Sequence, residues 1–113
     1  MLTYSGVVGS GGRRARALGF PTANIPLPVS EVSGIFVAQA SALGEAYKAV
    51  AYVDQKRGVL EVHLFGFEGD LYGKTLSVEL LHKLREDRAF SSEEAAREAI
   101  ADDIAQVRGY FKL

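Results

Sequence analysis

The apolar residues of this chain change their spacing once, near residue 90, and that change constrains the fold more than any other feature. Before it, they tend to recur at every second position, the repeat of a half-buried strand. Over residues 58–65, Leu60, Val62 and Leu64 take one face, while Val59, Glu61, His63 and Phe65 take the other. Over residues 75–84, Leu76, Val78, Leu80 and Leu84 point inward, and Thr75, Ser77, Glu79 and Lys83 outward. His82 falls on the apolar side and reads as a core or rim histidine. Residues 2–8, 34–42 and 46–53 also read as strands, the last two joined by a tight turn around Leu43-Gly44-Glu45. Beyond residue 90, Ala96, Ala99, Ile100, Ile104 and Val107 recur at helical spacing, with Ser91 and Glu94 as a capping box and Gly109 as the stop. Five or six short strands followed by one amphipathic helix favour antiparallel pairing. Closing the sheet removes its edges, so the expected fold is mainly β: a small barrel with one C-terminal α-helix over an open end or side.

The segment from Gly19 to Pro28 holds all three prolines, Pro21, Pro26 and Pro28, and cannot be helical. Its composition makes it rigid. At 113 residues the chain is expected to be one domain, 1–113. Thirteen Lys and Arg against fourteen Asp and Glu leave a net charge of −1, so no basic field exists to hold a nucleic acid. Scattered aromatics (Phe36, Tyr47, Tyr52, Phe65) offer no stacking platform either. The absence of cysteine removes disulfides, thiol catalysis and cysteine-ligated metals. No run approaches the ~18 apolar residues of a membrane span, and the N-terminus lacks the features of a signal peptide. A cytoplasmic protein without membrane or nucleic-acid partners is expected.

Few residues can carry chemistry. The glycine cluster Gly9 to Gly12, followed by Arg13, Arg14 and Arg16, can wrap phosphates with backbone N–H groups, although the same spacing suits a surface turn. Thr22 and Asn24 offer a hydroxyl and an amide oxygen from the proline-fixed segment, alternating so that both face one way. Such hard donors suit Mg²⁺, and they are equally turn chemistry. Glu61 is a carboxylate in mid-strand, away from the Leu/Val face, where it can act as a base or simply face solvent.

Six blocks resemble the riboflavin kinase family, in that family's order and over nearly the whole chain. They are Gly6-Val7-Val8, Leu18 to Ile25 with Gly-Phe-Pro-Thr-Ala-Asn at its centre, Ser33 to Phe36, Leu60-Glu61-Val62-His63-Leu64, Asp70 to Lys74, and Lys83 to Phe90. The resemblance implies a six-stranded antiparallel Greek-key barrel that transfers the γ-phosphoryl group of ATP to the ribityl 5′-hydroxyl of riboflavin, giving FMN. It implies Glu61 as the catalytic base, and Thr22 and Asn24 as ligands of Mg²⁺ and nucleotide. Gly12 and Arg13 fall in the nucleotide loop, and Arg85 in the flavin-side loop. In bacteria the domain is usually the C-terminal half of a bifunctional enzyme, so an adenylyltransferase domain in a longer parent chain is an expected partner. The chain departs from the family after Ala51-Tyr52-Val53-Asp54, where an Asn-Ile-Gly-like end and a Pro-Thr loop are usual. Here only residues 55–60 separate Asp54 from Glu61, which implies loss of one wall of the usual site. The alternative is a non-catalytic flavin- or nucleotide-binding domain of the same fold.

Overall fold

The computed structural model describes residues 2–9, 22–28 and 32–113. Six strands, β1 (Leu2–Val7), β2 (Ala23–Pro26), β3 (Gly34–Ala42), β4 (Glu45–Asp54), β5 (Val59–Leu64) and β6 (Thr75–Arg85), precede one helix, α1 (Glu93–Phe111). The strands form one antiparallel sheet in the order β1-β6-β3-β4-β5-β2. Hairpins join β3, β4 and β5, and β6 returns to lie beside β3, which is a Greek key. The edge strands β1 and β2 approach each other, and the Gly9 N–H donates to the Asn24 carbonyl at 2.9 Å. The barrel is therefore nearly closed. Leu43 and Gly44, at φ 52° and 81°, form the two-residue turn between β3 and β4 that matches the strands' twist.

Size alternation fills the narrow interior. Ala38, Ala40, Ala42, Ala49 and Ala51 from β3 and β4 face Leu60, Val62, Leu64, Leu76 and Val78 from β5 and β6, all buried in one cluster. The first half of β3 is buried on both faces. Phe36 and Ala38 point into the barrel, while Ile35 and Val37 point outward beneath Val107 of α1. The helix thus covers a side of the barrel and leaves its ends alone. Burial of a face outside the barrel is what later encloses the site.

Gly34 starts β3 at φ 101°, and a Cβ there would lie 2.5 Å from the Arg85 carbonyl oxygen and 2.7 Å from Lys83 Cε. Backbone conformation and space both require glycine at this crossing. Gly34→Ala is expected to lower stability by about 2 kcal/mol, read from the midpoint of urea unfolding. An unchanged midpoint would show that β3 and β6 can separate here freely.

Four local expectations need correction. Pairing of β6 with β3 skips Leu81 and Leu84, so alternation shifts there. Both leucines consequently pack on the helix side, and Leu84 lies outside the barrel interior. His82 is turned to the exposed surface, where it stacks on Tyr110 with ring centroids 5.9 Å apart. The helix N-cap is Ser92, whose hydroxyl accepts the Ala95 N–H at 3.1 Å, so the Ser91–Glu94 capping box does not form. Burial of Ala96, Ile100, Asp103 and Val107 sets the helix phase, and Ser92 is the serine that this phase leaves at the cap. Gly109 is not the stop. The helix continues to Phe111, which packs in the cluster around Val50, and Lys112 takes the left-handed cap at φ 59°. Packing of the aromatic outweighs the ~1 kcal/mol that a glycine costs within a helix.

Candidate active site

Pairing register builds the site. Asn24 of β2 lies opposite Glu61 of β5, Glu61 opposite Tyr52 of β4, Tyr52 opposite Ile35 of β3, and Ile35 opposite Arg85 of β6. Residues directly opposite in antiparallel strands share a face, with Cβ atoms about 5 Å apart. The row Asn24–Glu61–Tyr52–Ile35–Arg85 therefore runs across five strands on the outer face. Neither Asn24 (5% exposed) nor Glu61 (9%) reaches solvent appreciably. Glu61 does point away from the Leu60/Val62/Leu64 face, as alternation predicts; its burial is new.

Thr22 stands two residues before Asn24, so the extended backbone turns both side chains the same way. Thr22 Oγ1 and Asn24 Oδ1 are buried and make no hydrogen bond among the described residues. Two hard oxygens with unmet acceptor capacity fit a divalent cation that takes one or two protein ligands and fills its remaining positions with phosphate and water. Among the described residues no cluster of three or more His, Asp or Glu could hold a metal by itself.

The other end of the row is held by α1. Arg85 donates from Nε and Nη2 to the two oxygens of Asp103, each at 2.8 Å, and from Nη1 to the Glu86 carbonyl at 3.1 Å. Asp103 is fully buried, and the Arg85 side chain is 22% exposed. These bonds hold the guanidinium pKa above even its ordinary high value. Phe90 lies beneath both Arg85 and Arg88, at 5.7 and 5.2 Å from ring centroid to guanidinium. Farther out, Ser33 Oγ sits 2.9 Å from both carboxylate oxygens of Glu86, which also pairs with Lys83. The Lys83 bond, then the Ser33 bond, keeps the exposed Glu86 carboxyl below its usual pKa. Together these contacts tie the segment after β6 to the start of β3. Between that segment, the barrel and α1 lies a cleft lined by Tyr52, Glu61, Arg85, Asp87, Phe90 and Ile100, among others.

Asn24 and Glu61 are thus brought together, with Thr22 two residues before Asn24 in the chain. Arg85 lines the same cleft from its far side, with three of its five N–H donors given to Asp103 and Glu86. Gly12 and Arg13 lie outside the described residues. The short hairpin between Asp54 and Glu61 still pairs its strands, with Asp54 opposite Val59. Asp54 caps it by accepting the Arg57 N–H at 3.1 Å. Two residues escaped the sequence reading. Asp103 lies on the apolar stripe of α1 between Ile100 and Val107, and a carboxylate at that position signals a buried partner. Tyr52 follows from alternation in β4, which turns it away from Ala51 and Val53 toward the helix.

Six antiparallel strands in a nearly closed barrel, with one helix on its side and a buried polar row, define a small β-barrel domain with a cleft beside that row. A family model for riboflavin kinase (flavokinase) matches residues 1–111. The bifunctional riboflavin kinase/FMN adenylyltransferase of Mycoplasma pneumoniae is 38% identical over 111 residues, covering 94% of this chain and 41% of that protein. This chain spans only 36–41% of the length of such curated relatives. Among solved structures, riboflavin kinase from Trypanosoma brucei superposes with a TM-score of 0.68 at 24% identity, over 97% of this chain and 79% of that one, and shows the shared fold. A Streptococcus pneumoniae structure described as a macrolide-efflux protein matches with a TM-score of 0.83 at 29% identity, over 95% of this chain and 38% of that one. The chain belongs to the riboflavin kinase family.

Proposed function

We propose that the domain is itself a riboflavin kinase, transferring the γ-phosphoryl group of ATP to the terminal ribityl hydroxyl of riboflavin and releasing FMN and ADP. The observation that carries this reading is the Asn24–Glu61 pair: a buried carboxylate in register with a buried amide oxygen that makes no hydrogen bond among the described residues. Phosphoryl transfer asks little covalent chemistry of a protein. It needs in-line positioning and charge stabilisation. Glu61 on β5 is held by strands on both sides, so its carboxylate can take the proton of the ribityl hydroxyl as that oxygen bonds to the γ-phosphorus. The bond from the γ-phosphorus to the β,γ-bridging oxygen breaks, and ADP leaves with that electron pair. Thr22 and Asn24 are the residues to hold Mg²⁺, which when bound supplies positive charge against the phosphate oxygens. Arg85, Phe90 and Ile100 shape the flavin side of the cleft. Gly12 and Arg13 belong by sequence to the nucleotide loop. We place the enzyme in the cytoplasm, the compartment that supplies ATP; among the described residues no helix is long and apolar enough to cross a membrane.

The test is an assay of the purified protein with riboflavin, ATP and Mg²⁺, resolving FMN from riboflavin by chromatography. FMN formation supports the kinase. Flavin or ADP binding without FMN would leave a binding domain of the same fold. Thr22→Val should raise the Mg²⁺ concentration for half-maximal turnover by about tenfold or more, since even groups one step removed from a metal change its affinity by that much. An unchanged metal titration would reject Thr22 as a ligand.

A further inference from the structure

We propose that Tyr52 is a flavin-binding residue whose hydroxyl donates a hydrogen bond to an acceptor oxygen of the bound flavin. The inference rests on the reading of the site as that of a riboflavin kinase. Tyr52 Oη is buried and makes no hydrogen bond among the described residues. An unmet buried hydroxyl costs about 1–3 kcal/mol, so packing alone does not account for it; phenylalanine would fill the same volume without that cost. The ring cannot swing the hydroxyl to solvent, because it packs against both clusters on the outer face, the one at Ala96 and Ile100 and the one at Ile35, Val50 and Val107.

The position of the hydroxyl limits what can satisfy it. Tyr52 lies opposite Glu61 in register and lines the cleft together with Arg85 and Phe90. The nearby Asp103 carboxylate engages Arg85 through both of its oxygens. Burial first, and then the negative charge of Asp103, holds the phenol pKa far above its usual range, so the group remains a donor at any working pH. A buried donor on a residue that lines the cleft beside the proposed base has no acceptor among the described residues, and a ligand in the cleft can supply one. Riboflavin carries two kinds of acceptor oxygen, the ring carbonyls and the ribityl hydroxyls.

Tyr52→Phe separates the possibilities by titration of riboflavin fluorescence and thermal unfolding of the free protein. The expected result is riboflavin binding weakened by roughly 3- to 10-fold, with the free variant melting at the wild-type temperature or above it. Repeating the titration with lumiflavin, which keeps the ring and lacks the ribityl chain, locates the acceptor. Weakening with both ligands assigns a ring carbonyl, and weakening with riboflavin alone a ribityl hydroxyl. Either supports the proposal. Equal riboflavin affinity in variant and wild type overturns it while leaving the kinase reading intact. A free variant that melts well below wild type also overturns it, because the hydroxyl would then have an internal partner. Wild-type protein that binds no flavin fails the functional reading itself, and this proposal with it.

Discussion

Glu61→Gln is expected to lower FMN turnover by about 10²–10⁴-fold while leaving riboflavin affinity nearly unchanged. The amide keeps the size and much of the hydrogen-bonding capacity of the carboxylate, and loses its negative charge and with it the ability to take a proton. Among the described residues no other acid near the cleft is equally placed to substitute. Asp103 is fully buried and bonded twice to Arg85. Asp54 accepts the Arg57 N–H and lies 3.7 Å from its guanidinium. Asp87 accepts the backbone N–H of Arg88 at 2.8 Å. Glu61 alone stands in register with Asn24, next to the oxygens suited to Mg²⁺. The measurement is single-turnover FMN formation alongside a flavin fluorescence titration of the same variant. Equal turnover would remove Glu61 from the mechanism. A loss of binding as large as the loss of rate would make it a ligand contact instead of a base.

How far such a site can be read before the fold is known depends on the range of the forces that make it. Alternation within β5 is local, so the strand and the face of Glu61 were both legible. Its burial was not, because that face lies outside the barrel and is enclosed by packing between distant elements. Five of the six strands and the helix were legible for the same local reason, through the change of period near residue 90; β2, in the proline-rich segment, was legible only as non-helical, and the count of six came with the family resemblance. β6 shows where local reasoning stops. Skipped pairings at Leu81 and Leu84 depend on β3, some 45 residues earlier in the chain, and they reverse the faces expected for His82 and Leu84. Arg85 shows it again. Its motif places it in the flavin-side loop, while the fold makes it the last residue of β6 and gives two of its N–H donors to an aspartate 18 residues away in the helix. Thr22 and Asn24 were legible as oxygen ligands from residue type and spacing, and only the folded chain reveals that their oxygens are buried without a hydrogen bond among the described residues.

The Arg85–Asp103 pair should carry the largest single contribution of any polar contact to stability, and its two halves should contribute unequally. Removing one partner of a buried ion pair typically costs about 3–5 kcal/mol, most of it the penalty of stranding the other charge. Here Asp103 is wholly buried and the Arg85 side chain is 22% exposed. Arg85→Met strands the carboxylate and should show the full cost, whereas Asp103→Asn leaves a guanidinium that can turn toward water and should cost less. The double variant Arg85→Met/Asp103→Leu replaces the pair by apolar groups of similar volume and should recover most of the loss. Urea unfolding of the wild type and the three variants measures these differences. Equal costs for the two single variants, or a double variant as unstable as Arg85→Met, would show that the pair is not what fastens α1 over the cleft. The recovered double variant also isolates the part that Arg85 plays in recognition. If it folds and binds riboflavin as the wild type does, Arg85 acts by holding the segment after β6 against the helix; if it folds and does not bind, the guanidinium touches the flavin as well as Asp103.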